Sequence, residues 1–186
     1  MKNAILGALG ALLTASLACS IFVGGPSYPE STIPVSTAAV LSLQDQVEQA
    51  LKAGAESGEV TLQLSEDQLT SFLVAKSAEQ TDPVLTDPKV MLRDGEMKIF
   101  GKATSGILVA NVSISVLASV DDKGQAQFEI SQTDFGPLAA PQAFNDALAA
   151  FLREAFTGWL GPVATGFRLE NIAIGDGIMT ITGRVK

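Results

Sequence analysis

The chain contains no histidine and only one cysteine. Without histidine it lacks the commonest general base, the commonest transition-metal ligand and the ordinary physiological pH switch. One cysteine forms no internal disulfide, so the fold relies on its apolar core. Charge is also scarce. Charged residues make up 17% of the chain against 47% apolar, where soluble proteins carry about 25%. Cations are the rarer sign, 12 Lys plus Arg against 20 Asp plus Glu, for a formal net charge of −8. An acidic chain without a basic stripe is a poor partner for nucleic acid, whose binding rests on neutralised phosphates. Nor would charge draw it to an anionic membrane surface. Any membrane attachment must be apolar or covalent. At 186 residues the chain suits one domain with a real core.

Catalytic chemistry finds no foothold in what remains. Glu66-Asp67 and Asp121-Asp122 are neighbours in sequence, so their side chains diverge. The first pair opens a helix, where acids suit the dipole, and the second sits in a turn. Asp94, Asp122 and Asp176 lie in glycine-bearing turns without the alternating oxygen ligands of a calcium loop. Ser71 and Lys76 are five apart on a helix, the wrong relation for a dyad. The expectation is no catalytic residue, no metal and no cofactor.

The N-terminus is where long apolar runs are found. Met1-Lys2-Asn3 gives a positive start, no residue from Ala4 to Val23 is charged, and Gly24-Gly25-Pro26 breaks any helix. About 20 apolar residues can span a bilayer, so an uncleaved anchor fits. The small residues before Cys19 point to processing instead. Ser16-Leu17-Ala18-Cys19-Ser20 resembles a bacterial lipoprotein signal, with Ala18 before the cut and Cys19 as the first, lipid-bearing residue. That family carries Leu three places before the cysteine, and here Ser16 stands there. Ser16-x-Ala18 also fits ordinary signal peptidase cutting at the same bond. Lipidation at Cys19, secretion and an uncleaved anchor all place the domain outside the cytoplasm. Residues 1–18 are expected as signal peptide, 19–37 as a flexible tether rich in Pro, Gly and Ser, and 38–186 as one domain.

Within that domain, Leu41, Leu43, Val47, Ala50 and Leu51 mark a helix over 38–55. Glu59 to Leu64 alternates strictly, as a half-buried strand does. Ser65-Glu66-Asp67-Gln68 is a capping box opening a second, short helix. A meander follows: Val90 to Arg93 and Glu96 to Lys102 around Asp94-Gly95, a reversal within Gly101 to Gly106, then Ile107 to Val120 and Gln125 to Thr133. Pro141 opens a helix with apolar residues at three-and-four spacing, and Gly161-Pro162 is expected to end it near residue 160. A hairpin around Gly175-Asp176-Gly177 closes the chain. The fold class is α+β: a curved antiparallel β-meander wrapped around one long amphipathic helix, with one or two shorter N-terminal helices.

This order, with "VTLQLSEDQLTSFL" (60–73) and "LENIAIGDGIMTITGRV" (169–185) carrying most of the likeness, resembles the tubular lipid-binding (TULIP) superfamily, which includes BPI-like half-domains and small bacterial envelope lipoproteins. The resemblance covers roughly residues 38–186. It implies a bent sheet around a long helix with lipid held in the gap, and no catalytic residues. On that basis Phe144, Leu148, Phe151, Leu152, Phe156 and Trp159 of the long helix face Leu69, Phe72, Phe100, Val112 and Ile114 across an apolar groove. A chain this small departs from the family in size, and bulky side chains can fill such a trough as well as line it. Two functions follow from the sequence: a lipid-anchored binder or carrier of a lipid or other apolar ligand, or a non-enzymatic structural or protein-interaction domain with a solid core.

Overall fold

The computed structural model describes residues 20–30, 33–105, 107–136, 139 and 141–186, without the side chains of 105 and 157–165. The expected signal segment and Cys19 lie outside the described residues, as does the side chain of Trp159. In chain order the elements are β1 (Ile21–Phe22), α1 (Thr37–Ser57), β2 (Glu59–Ser65), α2 (Glu66–Ala78), β3 (Thr86–Arg93), β4 (Glu96–Ser105), β5 (Leu108–Val120), β6 (Ala126–Asp134), α3 (Gln142–Gly166), β7 (Phe167–Gly175) and β8 (Ile178–Val185).

Local chemistry explains most boundaries. Ser36 caps α1, its hydroxyl accepting from Ala39 N–H at 3.1 Å, and Gly58 ends it in the left-handed conformation. At the start of α2 the Gln68 side chain accepts from the Ser65 backbone N–H at 3.0 Å, in the expected capping box. Asp94-Gly95 and Asp176-Gly177 have positive φ at both central positions, the hairpin turn that Asp-Gly favours.

The strands form two groups, β1-β5-β4-β3 with β6 also on β5, and β2-β8-β7, which together curl into a mixed half-barrel around the helices. Period-two alternation sends Val60, Leu62 and Leu64 of β2, Met97 and Ile99 of β4, and Ala110, Val112, Ile114 and Val116 of β5 inward. The edge of β5 is shared. β1 pairs with it in parallel at Leu108 and Val109, and β6 antiparallel from Ser113 onward. Backbone bonds from Gly177 N–H to Leu92 O (3.1 Å) and Leu169 N–H to Gly124 O (3.1 Å) stitch the two groups together. Helix α3 packs on β6 and β7, α1 on β2, and α2 on β3.

Three local expectations are corrected. Helix α3 passes through Gly161 and Pro162 to Gly166, since a proline removes one ladder hydrogen bond without forbidding the turns around it. Strand β4 continues through Gly101 to Ser105. There glycine answers close packing rather than a turn, because a Cβ at Gly101 would stand 2.6 Å from Leu85. The segment expected as a tether lies against the sheet. Val23 N–H bonds Val109 O at 2.9 Å, Asn111 N–H bonds Gly24 O at 2.9 Å, and Lys89 Nζ donates to Pro29 O at 2.9 Å. Its two-residue strand is too short to show any periodicity.

Candidate functional site: a cleft between three helices

The groove expected between α3 and the sheet is occupied by protein. Leu148, Leu152 and Phe156 of α3 join Leu69, Val112 and Ile114 in one contiguous cluster, all buried almost completely. Phe156 stacks on Phe128 with ring centres 4.3 Å apart and leans toward Phe72 at 6.4 Å. Phe144 is half-buried and meets Phe135 edge-on at 4.7 Å. Offset-stacked and edge-to-face pairs of this kind add about 0.5–1.5 kcal/mol beyond area burial. Phe100 is misplaced in the expected set. The inward side chains of β4 are Met97 and Ile99, so Phe100 points to the opposite face, paired across the ladder with Lys89 and Ser113. A strand cannot send adjacent residues to the same side.

An open space lies instead on the outer side of that core. Helices α1, α2 and α3 converge on a cleft of about 740 Å³, within the ~300–1,000 Å³ of small-molecule sites. Each helix contributes one stripe at three-and-four spacing: Val40, Leu43 and Val47 from α1, Phe72, Ala75 and Glu79 from α2, and Phe151, Glu154 and Ala155 from α3. The floor is apolar, with Leu43, Phe72, Phe151 and Ala155 almost fully buried. Gln44, Lys76, Glu79, Gln80 and Glu154 form a polar rim, on which Lys76 Nζ lies 2.8 Å from Glu79 Oε2. Of the eleven side chains expected to line a ligand, Phe72 and Phe151 do line this cleft. Leu152 lines a second, more polar one with Asn145 and Arg153.

One rim atom stands out. The side-chain oxygen of Gln80 is buried and hydrogen bonded to nothing among the described residues. Buried polar atoms are nearly always partnered, since an unmet acceptor costs about 1–3 kcal/mol. Gln80 lines the cleft, but this oxygen has almost no accessible surface, so it is turned away from the open space.

Glu66 and Asp121, one from each acidic pair, have structural partners. Glu66 accepts from Leu92 N–H at 2.8 Å and pairs with Arg93. Asp121 accepts backbone N–H bonds from Lys123 (2.9 Å) and Gln125 (2.8 Å). These bonds, that of Gln125 foremost, hold its carboxyl below the usual range. Among the described residues no three His, Cys, Asp or Glu are grouped to hold a metal ion, and no helix is long and apolar enough to cross a membrane.

Sequence reasoning missed the cleft because its walls come from helices far apart in the chain. The signal was nonetheless present. Val40 and Val47 repeat at the spacing of the α1 stripe, and Ala75 leaves a gap where a larger residue would close the space.

No protein-family model matches the chain, and no characterised protein is similar to it in sequence.

Proposed function

We propose that this is an exported, lipid-anchored envelope protein, attached through Cys19, that binds a lipid or other apolar molecule in the three-helix cleft. The carrying observation is that cleft: an apolar floor, an open mouth and a polar rim. The ligand suited to it has an alkyl or ring body and a polar head at the rim. Burial of the body contributes ~0.8 kcal/mol per methylene, so affinity needs no salt bridge. A rim carrying Glu79 and Glu154 with one lysine favours a neutral head, such as a glyceride hydroxyl, over a carboxylate. The half-barrel and long helix are in keeping with the tubular lipid-binding likeness, which is part of the proposal.

The test is native mass spectrometry of gently purified protein, followed by titration with a fluorescent monoacylglycerol and a fluorescent fatty acid. Ala75→Phe, which fills the cleft from its wall, is expected to cut monoacylglycerol binding at least tenfold without loss of folded protein. Binding that survives Ala75→Phe, or no binding of either probe, sinks the cleft as a ligand site. The second outcome favours the other reading, a structural or interaction domain with a solid core, for which the filled interface around Leu148 already speaks.

A further inference from the structure

Four of the exposed apolar side chains lie at one corner of the sheet, on alternating faces of the paired strands β1 and β5. Ile21 and Phe22 of β1 are 51% and 59% exposed, and Ile107 and Leu108, at the start of β5, are 58% and 42% exposed. The backbone joins them, with Ile21 N–H donating to Ile107 O at 2.7 Å and Ile21 and Phe22 in register with Leu108 and Val109. Their own strands carry no charge, since no Asp, Glu, Lys or Arg occurs between Ser20 and Pro29 or between Ala103 and Val120; the nearest charges are Asp87, Lys89 and Lys102, which share a hollow with Phe22. In an acidic chain this is an apolar corner, and such clusters on a surface mark contact sites.

What covers it follows from where the chain comes from. Cys19 precedes Ile21 by two peptide units, ~3.8 Å apiece between Cα atoms. The residues after Ile21 are not free to swing away. Beyond the three backbone bonds of residues 21–24, Asn111 Nδ2 donates to Pro26 O at 3.3 Å, and the Tyr28 hydroxyl donates to Asp87 O. Gly25 lets the strap lie this close, at φ +123°, where a Cβ would stand 2.1 Å from Asn111 O.

We propose that this corner, Ile21, Phe22, Ile107 and Leu108, sits in the lipid interface beside the acylated Cys19, so that the domain lies on the bilayer in one orientation instead of at the end of a loose tether. The inference rests on the lipid-anchor reading above. An acyl chain on Cys19 draws Ile21 to the interface, and burial of the neighbouring side chains there adds apolar area without needing anionic headgroups.

The full chain, expressed with its own N-terminal segment in a bacterial host, is the material for the test. Intact mass shows whether Cys19 carries lipid, which also blocks its thiol. Ile107→Cys, and Glu56→Cys on α1 as reference, are then labelled with an environment-sensitive fluorophore. The labelled proteins are reconstituted in phosphatidylethanolamine/phosphatidylglycerol vesicles with or without brominated acyl chains. The expected result is blue-shifted emission and quenching at Ile107→Cys, and neither at Glu56→Cys. Gly25→Ala, which lifts the strap, abolishes the shift while the protein still floats with the vesicles. Phe22→Ser with Leu108→Ser, which changes only exposed side chains, weakens the quenching if Gly25→Ala does not fold. Acylated protein whose Ile107→Cys probe behaves like the reference overturns the docking and leaves the anchor intact. No acyl mass on Cys19 removes the anchor reading, and the docking with it. A blue shift unchanged by both sets of substitutions overturns the coupling of strap to corner.

Discussion

Tyr28 is the only tyrosine in the chain, and its ring lies under Lys89 Nζ at 4.7 Å. Burial of the hydroxyl, aided by the nearby Asp87 carboxylate, pushes its pKa up from 10 to about 12. Strapped down, the phenol holds its proton more tightly than in the unfolded chain. Its contribution is therefore whole below pH 10 and is lost as pH climbs from 10 to about 12. A single tyrosine makes this directly readable. Phenolate ultraviolet absorbance is expected to titrate near 12 in the native protein and to fall back toward 10 in Gly25→Ala, with circular dichroism confirming an intact fold. A native midpoint near 10 would mean that the strap is not seated. None of this was legible in the sequence, where Gly24-Gly25-Pro26 reads as a breaker. The same residues that end a helix also permit close approach to a sheet, and only the partner, Asn111, distinguishes the two. Asp94-Gly95 and Asp176-Gly177 were legible for the opposite reason: both conformational demands fall on adjacent residues.

Helix α2 shows how an element hides its role from periodicity. It buries Leu69, Phe72 and Leu73, but also Gln68, Thr70, Ser71 and Ser77, so no clean apolar stripe appears. Each buried polar group has a neighbour to satisfy. Gln68 Nε2 donates to Ser42 Oγ of α1 at 2.9 Å, Ser71 Oγ accepts from Ser36 N–H at 3.2 Å, and the Ser77 hydroxyl donates to Leu85 O. Glu66 and Thr70, one turn apart, accept from Leu92 and Val90 N–H, two residues apart on β3, at 2.8 and 2.9 Å. In this way the helix closes the outer edge of β3, which would otherwise present unpaired donors. Thr70→Val keeps the shape and deletes the acceptor, leaving the Val90 N–H buried and unmet. It is expected to cost ~1–3 kcal/mol, at ~2–4 °C of melting temperature per kcal/mol for a domain of this size, whereas Thr70→Ser recovers most of the loss. Urea unfolding of the three proteins checks it, and equal stability of Thr70→Val and wild type would remove the edge-closing role. The strands were easier to read, because β2, β4 and β5 bury one face and alternation survives in the residues themselves.

At the scale of the whole molecule, the packed core and the open cleft are two sides of the same helices, and Leu148 and Ala75 separate them. Leu148 is fully buried among α3, α2 and sheet residues, while Ala75 lines the cleft. The sequence carried the architecture, since alternating strands and a long apolar helix must cover one another. It did not carry the side on which space is left, because that depends on how completely three Phe rings and the leucines between them fill the interior. If ligand sat between α3 and the sheet, Leu148→Ala would enlarge its pocket and strengthen binding. With the interface filled, the same substitution opens a void in the core, costs ~2–5 kcal/mol, and leaves affinity per folded molecule unchanged. Leu148→Arg, which buries an unpaired charge, is expected to unfold the domain. Ala75→Phe does the reverse of Leu148→Ala, sparing stability and removing binding. Thermal melts with and without monoacylglycerol read both quantities, since saturating ligand at 100 times Kd raises stability by ~2.7 kcal/mol. The ligand-induced rise should persist in Leu148→Ala and vanish in Ala75→Phe. The opposite pattern would return the binding site to the helix–sheet interface.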